Sequence, residues 1–223
     1  MGYRLTLREY KLNRESKNIQ LKGNMPRVVY ILEGTTLLRK GSSQPCRLQS
    51  NSAMYSNEPL EIYVAGVKSV ILIWEFLKDS KKSCAYVSSV HNEVSKKLEA
   101  EINLDIEDEY IIRCDRVDFP LGGIAYTHTH KGPGIRYLLS GSLDVMVDGI
   151  TSHMVPKQAW FETGPEHVYA VSSETCSTSF VRVMVLPYSI KGLKSIEYVL
   201  QEDKDKPKLQ QYTMFVDTEL FIK

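Results

Sequence analysis

The chain has 223 residues, 43% of them hydrophobic, which is enough for a buried core in one large domain or two small ones. Lys plus Arg number 28 against 27 for Asp plus Glu, a formal charge of +1, so no charge surplus points to nucleic acid or an anionic membrane as a partner. The longest strongly apolar run, residues 70–74, stops at Glu75, far short of the about 20 residues a spanning helix needs.

The N-terminal residues Met1-Gly2-Tyr3-Arg4-Leu5-Thr6 carry no basic-then-apolar leader. Gly2 with Thr6 fits only the loose myristoylation pattern. Cys46, Cys84, Cys114 and Cys176 are widely spaced and form no C-x-x-C pair, so they read as separate reduced thiols. The expected location is cytoplasmic.

In chain order, short β-branched or aromatic segments recur between Gly, Pro, Asn and Ser punctuation: residues 27–32, 62–64, 70–76, 136–139, 143–147, 168–171 and 180–186. Between them, Val90, Val94, Leu98 and Ile102 repeat every fourth residue among polar neighbours, which predicts an amphipathic linker helix or else a polar connecting loop. His91 in that stretch is expected on the surface. After Pro187 a charged connector over residues 201–208 precedes apolar residues 212–216, which predicts an arm whose last strand docks elsewhere on the protein or on a second subunit.

The segments fall into two copies. Tyr30-Ile31-Leu32-Glu33-Gly34 lies over Tyr137-Leu138-Leu139-Ser140-Gly141, Tyr3-Arg4-Leu5 over Tyr110-Ile111-Ile112, and Ala53-Met54-Tyr55 over Ala159-Trp160-Phe161. Such an offset, held through separated blocks, argues for a duplicated unit. The expected fold is all-β, two sandwiches or barrels in tandem with a short linker helix. The expected domains are residues 1–78, a linker at 79–108, a second barrel at 109–190 and an arm at 191–223.

Four of the five histidines fall in the second copy, and three of them, His128, His130 and His167, stand at meaningful positions. His128-Thr129-His130 places two imidazoles at i and i+2, on one face of a strand, where both can reach one metal ion. His167 follows just beyond Gly164-Pro165. The matching positions of the first copy are Leu21, Gly23 and Glu61, so only the second copy carries a candidate site.

Gly122-x5-His128-x-His130-x3-Gly134-x6-Gly141 resembles the first motif of the cupins, and Glu162-Thr163-Gly164-Pro165-Glu166-His167 resembles the core of the second, with Glu162 in place of its proline. The resemblance implies jelly-roll barrels, here a two-barrel chain with a degenerate N-terminal copy. It also implies one divalent metal ion (Fe, Zn, Mn or Ni) on His128, His130 and His167. The family's glutamate ligand falls on Gly134. Three routes remain: three histidines with water, Glu162 as the oxygen ligand, or a barrel without metal.

Alternation extends the candidate site. Tyr126 shares the parity of His128, and Gly134, Arg136 and Leu138 share one face, which brings Arg136 inward unless the register slips by one. Trp160 and Glu162 share parity as well. Tyr126, Arg136 and Glu162 are the candidate catalytic residues, with Arg136 suited to bidentate contact with a substrate anion. The leading expectation is a metal-dependent enzyme of dioxygenase, isomerase, lyase or cyclase type, dioxygenase-like by preference, acting on a small, anionic organic substrate. The alternative is a non-catalytic small-molecule binder or sensor. Exposed sheet edges make a homodimer the assembly that would cover them.

Overall fold

The computed structural model describes residues 2–14, 18–78, 85–87 and 93–222. The chain divides into two units, residues 1–104 and 105–223. Cys84 and the expected surface residue His91 lie outside the described residues.

The first unit contains β1 (Gly2–Asn13), β2 (Asn18–Leu21), β3 (Arg27–Lys40), β4 (Cys46–Gln49), β5 (Ser52–Ser56), β6 (Leu60–Lys78), β7 (Ala85–Val87) and β8 (Glu93–Asn103). The long strands β3 and β6 each serve two sheet halves. Their ends nearer residues 27–34 and 69–78 join β5, β1 and β8, and their other ends join β4, β2 and β7. Gly34 marks the bend. It has φ +87°, and a Cβ there would meet the Lys68 carbonyl oxygen at 2.3 Å, so only glycine fits. Tyr10, Ile19, Leu21, Val29, Ile31, Leu38, Ile62 and Ile71 fill the space between the halves.

The second unit contains β9 (Tyr110–Phe119), β10 (Ile124–His130), β11 (Gly134–Ser140), β12 (Leu143–Val147), β13 (Ile150–Met154), β14 (Ala159–Glu162), β15 (Val168–Ser172), β16 (Thr178–Pro187), β17 (Ile196–Tyr198), a five-residue helix α1 (Gln201–Asp205) and β18 (Gln211–Leu220). Two antiparallel five-stranded sheets form, β13-β12-β15-β10-β17 and β14-β11-β16-β9-β18. Their inner faces enclose a jelly-roll interior.

The two units repeat one topology. What is one strand in the first unit, β3, becomes β11 and β12 in the second, and β6 becomes β15 and β16. The aligned letters are structurally equivalent: Tyr30 lies opposite Ala53, and Tyr137 lies opposite Ala159. Gly141, the counterpart of Gly34, has φ +74°, and its Cβ would meet Thr178 Oγ1 at 2.3 Å.

Two expectations change. The segment expected as a linker helix is β8, paired antiparallel with β1, Leu98 lying opposite Leu7 and Ile102 opposite Tyr3. A four-residue spacing is also an even one, so Leu98 and Ile102 share a strand face as readily as a helix face, while a bulge at Lys97 puts Val94, opposite Tyr10, on the other face. The open edge of β1 supplies the hydrogen bonds that decide between them. The last strand of the C-terminal arm docks on the protein itself, one of the two outcomes expected, since β18 pairs with β9 from Gln211 to Leu220; what changes is the boundary, because residues 191–223 belong to the second unit. The charged connector holds the short helix α1.

Candidate functional site

The interior of the second barrel has an apolar half and a charged half. Val117, Phe119, Leu138, Leu143, Val145, Val168 and Phe180 pack together in the first. In the second, the inward positions of β9, β10, β11, β14 and β16 carry Asp115, His128, His130, Arg136, Glu162 and Arg182, all buried.

A β-bulge in β10 sets which residues face in. Ala125 lies opposite Ala170, but His128 lies opposite Val168, so three steps on β10 match two on β15. Ala125, His128 and His130 line the interior cavity. The extra residue turns Tyr126 away, and its ring lies 5.0 Å from Lys206 Nζ and 5.3 Å from Lys208 Nζ. Tyr126 is therefore not a side chain of the cavity, a correction to simple alternation. Its carbonyl accepts a hydrogen bond from His128 Nδ1 at 2.7 Å, which leaves Nε2 as the lone-pair nitrogen of that ring.

The His128 and His130 rings meet edge to face, centroids 4.8 Å apart. His130 Nε2 lies 2.9 Å from Glu162 Oε2, and Arg136 Nη2 lies 2.6 Å from the same oxygen. Trp160 Nε1 donates to Glu162 Oε1 at 2.8 Å, and Arg136 Nη1 donates to the Gly134 carbonyl at 2.6 Å. Behind them Arg182 donates to both oxygens of Asp115, at 2.6 and 3.2 Å. Arg136 Nη2, Glu162 Oε2 and His130 Nδ1 are buried without an aligned hydrogen bond, so charge attraction dominates the contacts at Oε2.

Burial shapes the protonation states. It drives the His130 pKa down to about 3 against the opposing pull of Glu162, and it also lowers His128. Burial alone would raise the Glu162 carboxyl, but the Arg136 charge, reinforced by His130 and Trp160, takes it below the usual carboxylate range. Arg136 itself falls to about 10 through burial. At neutral pH the cluster is two neutral imidazoles, one carboxylate and one guanidinium.

His167 does not join them. Val168 and Ala170 face the interior, so alternation sends His167 outward, and it is exposed. Its backbone pairs with Asp148 across the turn, Asp148 N donating to its carbonyl at 3.2 Å. The structure thus brings together His128, His130, Arg136 and Glu162 from the expected set and leaves out His167 and Tyr126. It adds Asp115 and Arg182. Their signal in the sequence is a charge at an alternate position inside an otherwise apolar strand run, Ile112-Arg113-Cys114-Asp115 and Val181-Arg182-Val183.

These donors do not fit the expected divalent ion as they are folded. A three-histidine set lacks His167. A two-histidine, one-carboxylate set needs Glu162, which already faces the Arg136 cation. His130 Nδ1 has no hydrogen-bond partner, whereas a ligating imidazole is normally oriented through its second nitrogen. Among the described residues no group of three or more His, Cys, Asp or Glu side chains is placed to hold a metal.

The cavity against the cluster measures about 40 Å³, room for a few waters and no more. Beside it, sharing Arg182, Ile196 and Tyr212, is a second cavity of about 260 Å³. This slot is lined by Arg113, Arg182, Lys194, Tyr198, Lys208 and Tyr212, with Asp115 as its one carboxylate. Arg182 is paired with Asp115 and Arg113 with Asp217, while Lys194 and Lys208 make no ion pair among the described residues. Lys208 Nζ sits 4.4 Å over the Tyr198 ring.

No family model matches the chain, and no curated protein matches it in sequence. Solved structures do match. A mutant of oxalate decarboxylase from Bacillus subtilis superposes with a TM-score of 0.64 at 12% identity, over 91% of this chain and 73% of that one. An 11S allergen from Cocos nucifera gives 0.62 at 10% identity, over 91% and 85%. AerE from Microcystis aeruginosa gives 0.59 at 12% identity, over 81% and 88%. These neighbours are cupin-type proteins, catalytic and storage forms among them. Together with the duplicated jelly-roll topology, they show that the chain has the cupin fold, present twice.

Proposed function

We propose that the C-terminal barrel binds a small organic anion and works as a ligand-binding module rather than as a metal-dependent enzyme. The observation that carries this reading is the 260 Å³ slot with two tyrosine rings and two ammonium groups that make no ion pair among the described residues, Lys194 and Lys208, the latter donating to the Asp203, Lys204 and Lys206 carbonyls. Ligand pockets of about 300–1,000 Å³ take drug-sized molecules, so this slot suits a smaller acid. A carboxylate or phosphate placed between Lys194 and Lys208 meets a surplus of positive charge, while Tyr198 and Tyr212 provide apolar surface. Arg182, held by Asp115, forms the inner wall toward the buried cluster.

The metal-dependent reading rested on three converging imidazoles, and the outward placement of His167 removes its main support. The test is calorimetric titration at low salt with oxalate, succinate, benzoate and inorganic phosphate. One of these anions binds with a dissociation constant of about 1 mM or tighter, and the Lys194→Ala/Lys208→Ala variant weakens it about tenfold with an unchanged melting temperature. No binding by any of the four, or equal binding by the variant, overturns the proposal.

A further inference from the structure

The ammonium of Lys208 stands at the junction of the outer slot and the short helix α1. Its side chain lines the slot, and its Nζ lies 4.4 Å from the centre of the Tyr198 ring and 5.3 Å from that of Tyr126. The same Nζ donates to the carbonyls of Asp203, Lys204 and Lys206. The first two belong to the last turn of α1, where helix carbonyls have no acceptor role within the helix and need a donor from outside it. An ammonium has three N–H donors, so three carbonyls occupy them all. Little within α1 itself holds it together. It spans five residues, buries Asp203 alone and has no side-chain hydrogen bond at its N-cap, Leu200. A helix of that length does not stand by itself in water. Lys206 adds a contact to the Asp203 carboxylate at 2.7 Å, but the carbonyls of the last turn depend on Lys208.

We propose that the slot signals its own occupancy through α1: an anion bound at Lys208 draws the ammonium off the helix carbonyls and α1 unwinds, which makes the second barrel a sensor of small organic anions. The inference rests on the anion reading of the slot and gives that binding an output. The donor count carries it. With every N–H of Lys208 on a carbonyl, a carboxylate or phosphate oxygen that accepts from Nζ displaces at least one of them. The new bond joins two full charges and is stronger than the one it replaces. Apart from Asp203 the residues of α1 are exposed, so water meets the carbonyls that are released. Tyr198 lines the slot as well, and its ring keeps a favourable face toward the ammonium in either position. Coupling of this kind is reciprocal: a bound anion weakens α1, and a weakened α1 binds the anion more tightly.

The experiment reads the Cα chemical shifts of Gln201–Asp205 in the full chain by NMR while oxalate, succinate, benzoate or inorganic phosphate is added at constant ionic strength, with calorimetry in parallel. Saturation with an anion that binds moves these shifts from helical toward coil values. Lys208→Met keeps the stem and removes the ammonium, and its α1 shifts are coil-like before any anion is added. A second pair of variants reads the coupling in reverse. Lys204→Gly and Lys204→Ala lose the same exposed charge, but glycine is much the poorer helix former. Lys204→Gly therefore binds the anion about threefold more tightly than Lys204→Ala. Heat of binding with unmoved α1 shifts, a helical α1 in folded Lys208→Met, or equal affinities in the Lys204 pair overturns the coupling and leaves the anion reading of the slot standing. Should Lys208→Met not fold, the Lys204 pair decides. No heat from any of the four anions removes the slot reading, and the sensor falls with it.

Discussion

Arg136 and Glu162 meet at 2.6 Å inside the second barrel, each with at most 4% of its side chain exposed. A buried pair of this kind is more costly to break than to replace, because removing one partner strands the other charge away from water. Glu162→Gln is expected to destabilise the second unit by about 3–5 kcal/mol, and Arg136→Met/Glu162→Leu by much less. Urea unfolding followed by Trp160 fluorescence in a Trp74→Phe background isolates this unit, since the chain has two tryptophans, one in each unit. Equal losses in the two variants would show that packing, not charge, sets the cost.

The pH dependence has two stages. His130 is held neutral, with its pKa lowered by burial to about 3 from an ordinary 6.5. A base depressed on folding contributes stability that is complete above 6.5 and drains away as pH falls toward 3, because the unfolded chain takes the proton first. Between pH 7 and 5 this one group is worth about 2 kcal/mol. His130→Gln is therefore expected to flatten the fall in stability over that interval by about the same amount. Glu162, also lowered, contributes stability present above its ordinary value near 4.5 and lost below it, so its share appears only in more acid solution. Denaturant midpoints at pH 7, 6, 5 and 4 separate the two stages. An unchanged slope in His130→Gln would argue against a neutral buried imidazole.

Gly34 and Gly141 occupy equivalent bends with φ +87° and +74°, and in each case a Cβ would lie 2.3 Å from a neighbouring oxygen. Alanine at either site adds left-handed backbone strain to a contact that must move. Each substitution is expected to cost at least about 2 kcal/mol. Gly149, also at positive φ but with open space around its Cβ, serves as the control, with alanine there costing about 1 kcal/mol. Thermal melting of the three variants checks the ranking.

Placing a glutamate at position 134, where the cupin motif has one, is expected to fail. Gly134→Glu forces a side chain against the Val183 carbonyl and Met184, and the expected result is loss of cooperative unfolding in the second unit with no gain of metal. Circular dichroism together with elemental analysis of the purified variant reads both. A folded variant with one bound ion would contradict the steric argument.

Much of this molecule is written in short-range patterns, and its misreadings share one cause. Tyr30 and Tyr137 could be aligned because a duplicated sheet keeps its turn glycines and inward apolar positions. Arg136 and Glu162 followed from alternation because β11 and β14 pair without interruption. Tyr126 did not, since nothing in Ala125-Tyr126-Thr127-His128 signals that one residue bulges. His167 could be matched by motif yet sits on the outward parity of β15, where Val168 and Ala170 take the inner face. The strand β8 was misread because its apolar spacing suits both periods. Asp115 and Arg182 went unnoticed as a pair because their 67-residue separation closes only when β9 and β16 align.

The irregularity in β10 has a wider meaning for how such a barrel keeps its chemistry. In an unbulged strand an inserted residue would swap every downstream side chain to the other face, but the bulge absorbs it between Ala125 and His128, so both keep the interior face. Deleting Thr127 would make two steps on β10 match two on β15, so Ala125, His128 and His130 would keep their inward places in a regular strand with Tyr126 still outside. A length change in this strand is thus absorbed locally, and the interior functional groups outlast it on an unchanged frame.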